Sequence, residues 1–134
     1  MGAPRPLTKK QVLDLLGKGN PLADMDLRGT DLSGVSFDHA DLTGTKLAGC
    51  NLTRTSFRHA NLTDASLWHA DCKDACFDGA VLEQTDLDLC NLDGATFRGA
   101  KVRKAIFPMT RISIEQVNRS VRTGRKINMR RLDA

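Results

Sequence analysis

Apolar residues recur along this chain with a period of five, which is neither the helical 3.6 nor the strand 2. Starting at Leu27, every fifth residue is apolar: Leu32, Phe37, Leu42, Leu47, Leu52, Phe57, Leu62, Leu67, Cys72, Phe77, Leu82, Leu87, Leu92, Phe97, Val102 and Phe107. Two residues before each centre the side chain is small. Nine of these are Ala, four are Thr, two are Cys50 and Cys90, and only Met25 and Val35 are larger. Residues two apart in an extended segment share a face, so the small residue and the centre can both point inward while the other three positions point out.

The remaining positions have their own chemistry. Asp or Asn falls between the small residue and the centre at Asp26, Asp31, Asp41, Asn51, Asn61, Asp71, Asp86 and Asn91. Such side chains bond nearby backbone groups at corners. Gly falls two residues after the centre at Gly29, Gly34, Gly44, Gly49, Gly79, Gly94 and Gly99, as suits a turn position with positive φ. Residues 22–107 contain no Pro, as expected where every segment pairs with the next.

A second period overlies the first. Phe37, Phe57, Phe77 and Phe97 are twenty residues apart, so four pentapeptides make one coil and one side carries a column of rings. Coils should lie about 4.8 Å apart, giving a solenoid roughly 20 Å tall.

The units Ala40-Asp41-Leu42, Ala60-Asn61-Leu62 and Ala70-Asp71-Cys72 resemble the pentapeptide-repeat family, whose motif is Ala-(Asp/Asn)-Leu-x-x. The resemblance runs over residues 25–107 without an insertion. It implies an all-β fold: a right-handed quadrilateral parallel β-helix solenoid of about four coils. Short α-helical caps are expected at both ends, because an open solenoid end exposes a sticky edge. The chain divides into an N-terminal arm and capping helix (1–21), the repeat β-helix (22–107), and a C-terminal capping helix with a basic tail (108–134).

Thr8 with Gln11 forms a capping-box pattern, stapled by Leu7 and Val12. The helix it predicts runs over about 9–16, with Val12, Leu13, Leu15 and Leu16 as its apolar face and Gly17 or Gly19 as its stop. At the other end Ser113 pairs with Gln116 and Ile112 with Val117. Ile114, Val117 and Val121 are the expected face, and Gly124 the stop. Beyond Gly124, Ile127 and Met129 alternate with polar residues, which suits a strand or a basic tip. Members of the family often pair through their C-terminal ends, so the resemblance makes a homodimer through this tail a candidate assembly.

Charge is partitioned. Residues 1–21 carry four basic and one acidic residue, 22–107 nine and thirteen, and 108–134 seven and two. The middle is acidic and the ends basic. No segment has the length of a membrane span, and residues 1–6 lack the apolar core of a signal peptide. The expected location is the cytoplasm. Four cysteines do not make a disulfide framework at this length.

Candidate sites lie on the outward positions. Trp68, His69 and Leu89 form a candidate interaction surface on the side built on Leu47, Leu67 and Leu87. Asp38, Arg58, Asp78 and Arg98 follow the Phe column and alternate in sign, predicting ion pairs worth about 0.2–1 kcal/mol each. Glu83 beside Arg103, and Lys73 beside Asp93, extend the theme. Arg119, Arg122, Arg125, Lys126, Arg130 and Arg131 are a candidate basic contact. His39 and His59 stack, but the next rung is Gly79, so no third metal ligand follows. Cys50 and Cys90 point inward two coils apart, beyond disulfide reach. Cys72 is an inert core thiol, and Cys76 faces outward as the thiol expected to react.

No phosphate loop, nucleophile elbow or zinc motif is present, so the chain is expected to be neither an enzyme nor a cofactor carrier. The favoured function is a protein-interaction module or scaffold. The resemblance adds an alternative, DNA mimicry acting on a type II topoisomerase, as in quinolone-resistance relatives. The basic ends suggest a third class, nucleic-acid or anionic-surface binding, the least favoured of the three. The expected partner is another protein, not nucleic acid or a membrane.

Overall fold

The computed structural model describes residues 7–19 and 21–129. Between them lie a helix α1 (Lys9–Gly17), a stack of twenty-residue coils, and a helix α2 (Ile114–Thr123). The coils are held by parallel pairings between residues twenty apart. These begin with Asp26–Lys46, Asp31–Asn51, Ser36–Ser56 and Asp41–Asn61 and continue to Asp86–Ile106. Each coil carries four such pairings, one per wall. The first wall is built on Leu22, Leu42, Leu62, Leu82 and Val102, and the second on Leu27, Leu47, Leu67, Leu87 and Phe107. The third is built on Leu32, Leu52, Cys72 and Leu92, and the fourth on Phe37, Phe57, Phe77 and Phe97.

The five-residue period follows from backbone hydrogen bonding, because four of the five N–H groups of a unit have a fixed destination. In the unit around Leu47, Lys46 N donates back to Met25 O. Leu47 N and Gly49 N donate forward to Ser66 O and Trp68 O. Cys50 N closes the turn on Leu47 O. The fifth donor follows the centre, and the Asx residue usually takes it. Asp41 Oδ1 accepts from Thr43 N, Asn51 Oδ1 from Thr53 N and Asn61 Oδ1 from Thr63 N, each at 3.1 Å. The recurrence of Asp and Asn is thus a backbone requirement.

The turn residue two after each centre has positive φ in all seventeen units from 24 to 104, between 55° and 79°. Seven are Gly and ten are not. The ten include His39, His59, His69, Gln84, Lys104 and Leu89, so glycine is sufficient for this turn without being necessary.

Inside, every centre from Leu22 to Phe97 is 0–1% exposed. The sequence pattern began at Leu27. The structure adds Leu22, whose unit is disguised by Pro21 in the Asx position. Val102, an expected core residue, is only partly buried, because no coil follows it. The four Phe rings stack nearly parallel at 5.4, 5.0 and 4.9 Å, and Phe107 closes the column edge-on to Phe97. Where the small position is polar it bonds an inner carbonyl. Thr45 and Thr85 donate to Leu22 O and Leu62 O, and the Cys50 and Cys90 thiols to Leu27 O and Leu67 O.

The ends are closed by specific partners. The α1 capping box forms as expected and Val12 is fully buried. Leu13, expected on the buried face, is 46% exposed; this helix seats Val12 and leaves Leu13 outward. The Lys9 ammonium donates to Ser33 O, a carbonyl that has no preceding coil to serve. At the other end the last full coil has eight forward N–H donors. Leu82, Gln84 and Leu87 reach the final repeats at Lys101 O, Arg103 O and Ile106 O. Leu89 N turns to Asp88 Oδ1. The other four reach the C-terminal segment: Leu92 N to Met129 Sδ, Gly94 N to Ile127 O, Phe97 N to Ser120 Oγ and Gly99 N to Val121 O.

That segment corrects two expectations. Residues 125–129 lie in bonding contact across the last coil, with Ile127 and Met129 buried, so this stretch is a cap and not a free tip. Gln116 does not close a capping box on Ser113. Its amide pairs both ways with the Asn128 backbone at 3.0 Å, clamping the tail to α2. Ile114, expected in the buried face, is 54% exposed, while Ser120 is fully buried. Gly124 ends α2 at φ 77°, where a Cβ would press on the Arg98 side chain at 3.2 Å.

Candidate interaction surfaces

The interior is occupied by Phe, Leu, Ala, Thr and Cys. Among the described residues no buried side-chain polar atom lacks a partner, so nothing inside is set out for a ligand. Chemistry with other molecules belongs to the outer walls and the ends.

The fourth wall presents Asp38, Arg58, Asp78 and Arg98 in one column, but not as the ion pairs expected of them. Asp38 Oδ1 accepts from Arg58 N at 3.1 Å and from the Ser56 hydroxyl; Asp78 Oδ1 accepts from Arg98 N at 3.0 Å. Each carboxylate thus supplies the acceptor that an Asx residue supplies elsewhere. The nearer donor is backbone, so the guanidinium groups are left to solvent. Glu83 with Arg103 and Lys73 with Asp93 form no ion pair either; Asp93 Oδ1 accepts from Met129 N and Lys73 N donates to Asp71 Oδ1. Among the described residues the ion pairs are Lys18–Asp14, Arg28–Asp26 and Arg119–Glu115, all close in sequence.

Beside this column His39 and His59 stack at 5.1 Å, and the His59 ring lies over Gly79. Among the described residues no group of three His, Cys, Asp or Glu could hold a metal. The thiols hold one surprise. The neighbouring Cys90 thiol, eighteen residues on, together with burial holds the Cys72 thiol well above its ordinary value. Burial raises Cys50 as well. Cys76 is partly exposed and accepts from Thr96 Oγ1 at 3.6 Å.

On the second wall the structure brings Trp68, His69 and Leu89 together as the sequence places them. Trp68 and His69 form a tilted ring pair at 5.3 Å, and Leu89 stands one rung beyond His69. Trp68 and Leu89 are each about half exposed. Two further exposed apolar residues, Ile106 and Met109, follow on this wall and its continuation. Sequence reading missed them, although Ile106 is visibly the outward rung after Asp86.

At the C-terminal end Arg119, Arg125 and Lys126 line an open groove of about 770 Å³ with Gln116, Asn128 and Met129. Arg122 is exposed but does not line it. Arg130 and Arg131 lie outside the described residues.

Coils of twenty residues with this five-residue bonding scheme agree with the sequence model of the pentapeptide repeat region, which matches residues 21–97. The chain belongs to the pentapeptide-repeat family. That match begins at Pro21, in agreement with the burial of Leu22.

Several solved pentapeptide-repeat structures are similar to it. Rfr23 from the cyanobacterium Cyanothece 51142 is 20% identical, over 61% of this chain and 60% of that one, at a TM-score of 0.44. The chain therefore spans about three fifths of that relative. The protein alr5209 from Nostoc PCC 7120 is 28% identical, over 80% of this chain and 94% of that one, at 0.42. QnrB1, a plasmid-mediated fluoroquinolone resistance protein, is 18% identical, over 63% and 66%, at 0.29. No curated protein matches the chain. No helix among the described residues is long and apolar enough to cross a membrane.

Proposed function

We propose that this pentapeptide-repeat protein is a non-enzymatic interaction module that binds another protein through an outer wall. The observation that supports this most is the exposed Trp68–Leu89 pair on a scaffold whose interior is filled and, among the described residues, leaves no buried side-chain polar atom without a partner. A rigid wall presents such anchors at little conformational cost, and aromatic anchors dominate binding energy at interfaces. The winding is read as right-handed, the hand favoured for parallel crossover connections. A photo-crosslinking residue at Trp68, compared with one at Arg54 on the third-wall corner, tests the reading in host lysate. Adducts confined to position 68 are expected; equal adducts at both positions, or none, would refute it.

A second reading rests on the groove beside α2. Its three cations could take a polyanion, with nucleic acid as the test ligand. A gel shift that weakens steeply with salt would favour it, and an unretarded probe at low salt would remove it.

A further inference from the structure

Six large apolar side chains are exposed among the described residues, and four of them belong to one strip. Trp68 and Leu89 occupy consecutive coils of the second wall. Ile106 is the last rung of that wall, paired with Asp86, and Met109 follows three residues on. Their exposures lie between 47% and 53%.

Leu89 is the anomaly that gives the strip meaning. It is the only large apolar residue among the ten non-glycine residues in the left-handed conformation, at φ 60°. The others are Asp, His, Arg, Gln or Lys. A bulky residue is a genuine outlier there, and seven equivalent positions are Gly. Leu89 also sits where the coil ladder ends, its N–H met only by Asp88. It is therefore both strained and about half exposed to solvent. Strain of this kind concentrates at functional positions.

The surroundings define the occupant. Residues 66–93 hold seven acidic residues against one Lys. Asp86 and Asp88 lie within the strip, and Asp71 lies beside it on the third wall. Their carboxylates are fixed by Asp88 N, Leu89 N, Lys73 N and the Asn91 amide. Among the described residues no ion pair neutralises them. Around Trp68 and Leu89 the strip is thus apolar with acidic edges, which attracts a basic apolar partner and repels an anionic membrane, whereas Ile106 and Met109 are flanked in sequence by Arg103, Lys104 and Arg111.

Spacing points to a helix. Rings in adjacent coils are 4.9 Å apart at Phe77–Phe97, and a helix repeats every turn at about 5.4 Å. A helix lying along the solenoid axis offers one apolar side chain per turn to one per coil.

We infer that the second wall at Trp68 and Leu89 docks a basic amphipathic helix of a partner protein. This rests on the interaction-module reading and names its site and ligand class.

Trp68 is the only tryptophan in the chain, so its emission reports occupancy directly. The probe is an 18-residue amphipathic helix of Leu and Lys; the comparators are its scrambled isomer and a Leu/Gln helix. The Leu/Lys helix is expected to blue-shift Trp68 saturably. The scrambled isomer should bind at least about tenfold more weakly. In the protein, Leu89→Gly should weaken binding about tenfold while raising the melting temperature by roughly 2–5 °C. Asp86→Asn with Asp88→Asn, which keeps both acceptor oxygens, should weaken binding severalfold and flatten its salt dependence. Equal binding of the scrambled isomer, or of Leu89→Gly, would overturn the proposal. If the Leu/Gln helix binds as tightly as the Leu/Lys one, the basic partner is overturned and the docking wall stands. If no peptide moves Trp68, the helix ligand is overturned, and the crosslinking comparison at positions 68 and 54 then judges the interaction reading separately.

Discussion

The fourth and second walls share one backbone and one bonding scheme, yet they differ outside. The fourth wall buries its Phe column and covers it with Ser36, Ser56, Cys76, Thr96 and the Asp38–Arg98 ladder, whose carboxylates bond the chain's own backbone. The second wall buries Leu just as completely but turns Trp68, Leu89 and Ile106 outward. The contrast teaches that the five-residue period constrains only the two inward positions and the Asx acceptor. The outward positions are free to carry function, and the fold is indifferent to what stands there as long as the backbone donors are met.

The largest expected effect breaks the comparison from inside. Phe77→Ala removes one ring from a closed stack and should cost about 3–5 kcal/mol in denaturant unfolding. Trp68→Ser, equally far along the solenoid but outward, should change stability by no more than about 0.5 kcal/mol. Comparable losses at both positions would mean that the second wall is also core.

Next comes the end cap. Ser120→Ala leaves the buried Phe97 N–H without its acceptor and should cost about 1–3 kcal/mol. Hydrogen exchange at Phe97 and Gly99 should accelerate ahead of exchange at Phe57. Uniform acceleration would contradict the cap assignment.

Acid gives a smaller, distributed effect. Hydrogen bonds from Arg28 hold Asp26 down to about 2, and hydrogen bonds from Ser33 and Thr43 hold Asp31 and Asp41 below their ordinary values. Folded values below the unfolded one, about 3.9, mean that these groups stabilise the fold above that pH. Their contribution is lost as pH falls through the folded values. The melting temperature should be flat from pH 7 to 5 and drop between about pH 4 and 2. A melting temperature unchanged down to pH 2 would contradict this account.

Much of this was legible in the sequence, because a solenoid writes each coil under the last. The seventeen centres, the Phe column and the Trp68–Leu89 pair follow from counting in fives and twenties, and both helices from their capping patterns. What counting missed lies off that grid. Cys72 and Cys90 are neighbours across a corner at a spacing of eighteen. Leu13 and Ile114 fit a helical apolar face, but a helix of about ten residues laid on a coil end buries only one or two of them. Gln116 fits a capping box, yet the Asn128 backbone offered it two bonds. Opposite charges one rung apart suggested ion pairs, and the backbone N–H proved the closer donor.

The most direct test is the sign of the stability change at Leu89, the smallest effect but the one on which the two walls part. If the second wall's outer face contributes nothing to the fold, Leu89→Gly relieves a left-handed Leu and stabilises the protein by about 0.5–1 kcal/mol in equilibrium denaturation. A protein destabilised by that substitution would show that Leu89 is packed by its own chain, and the division between a folding interior and a binding exterior would fail.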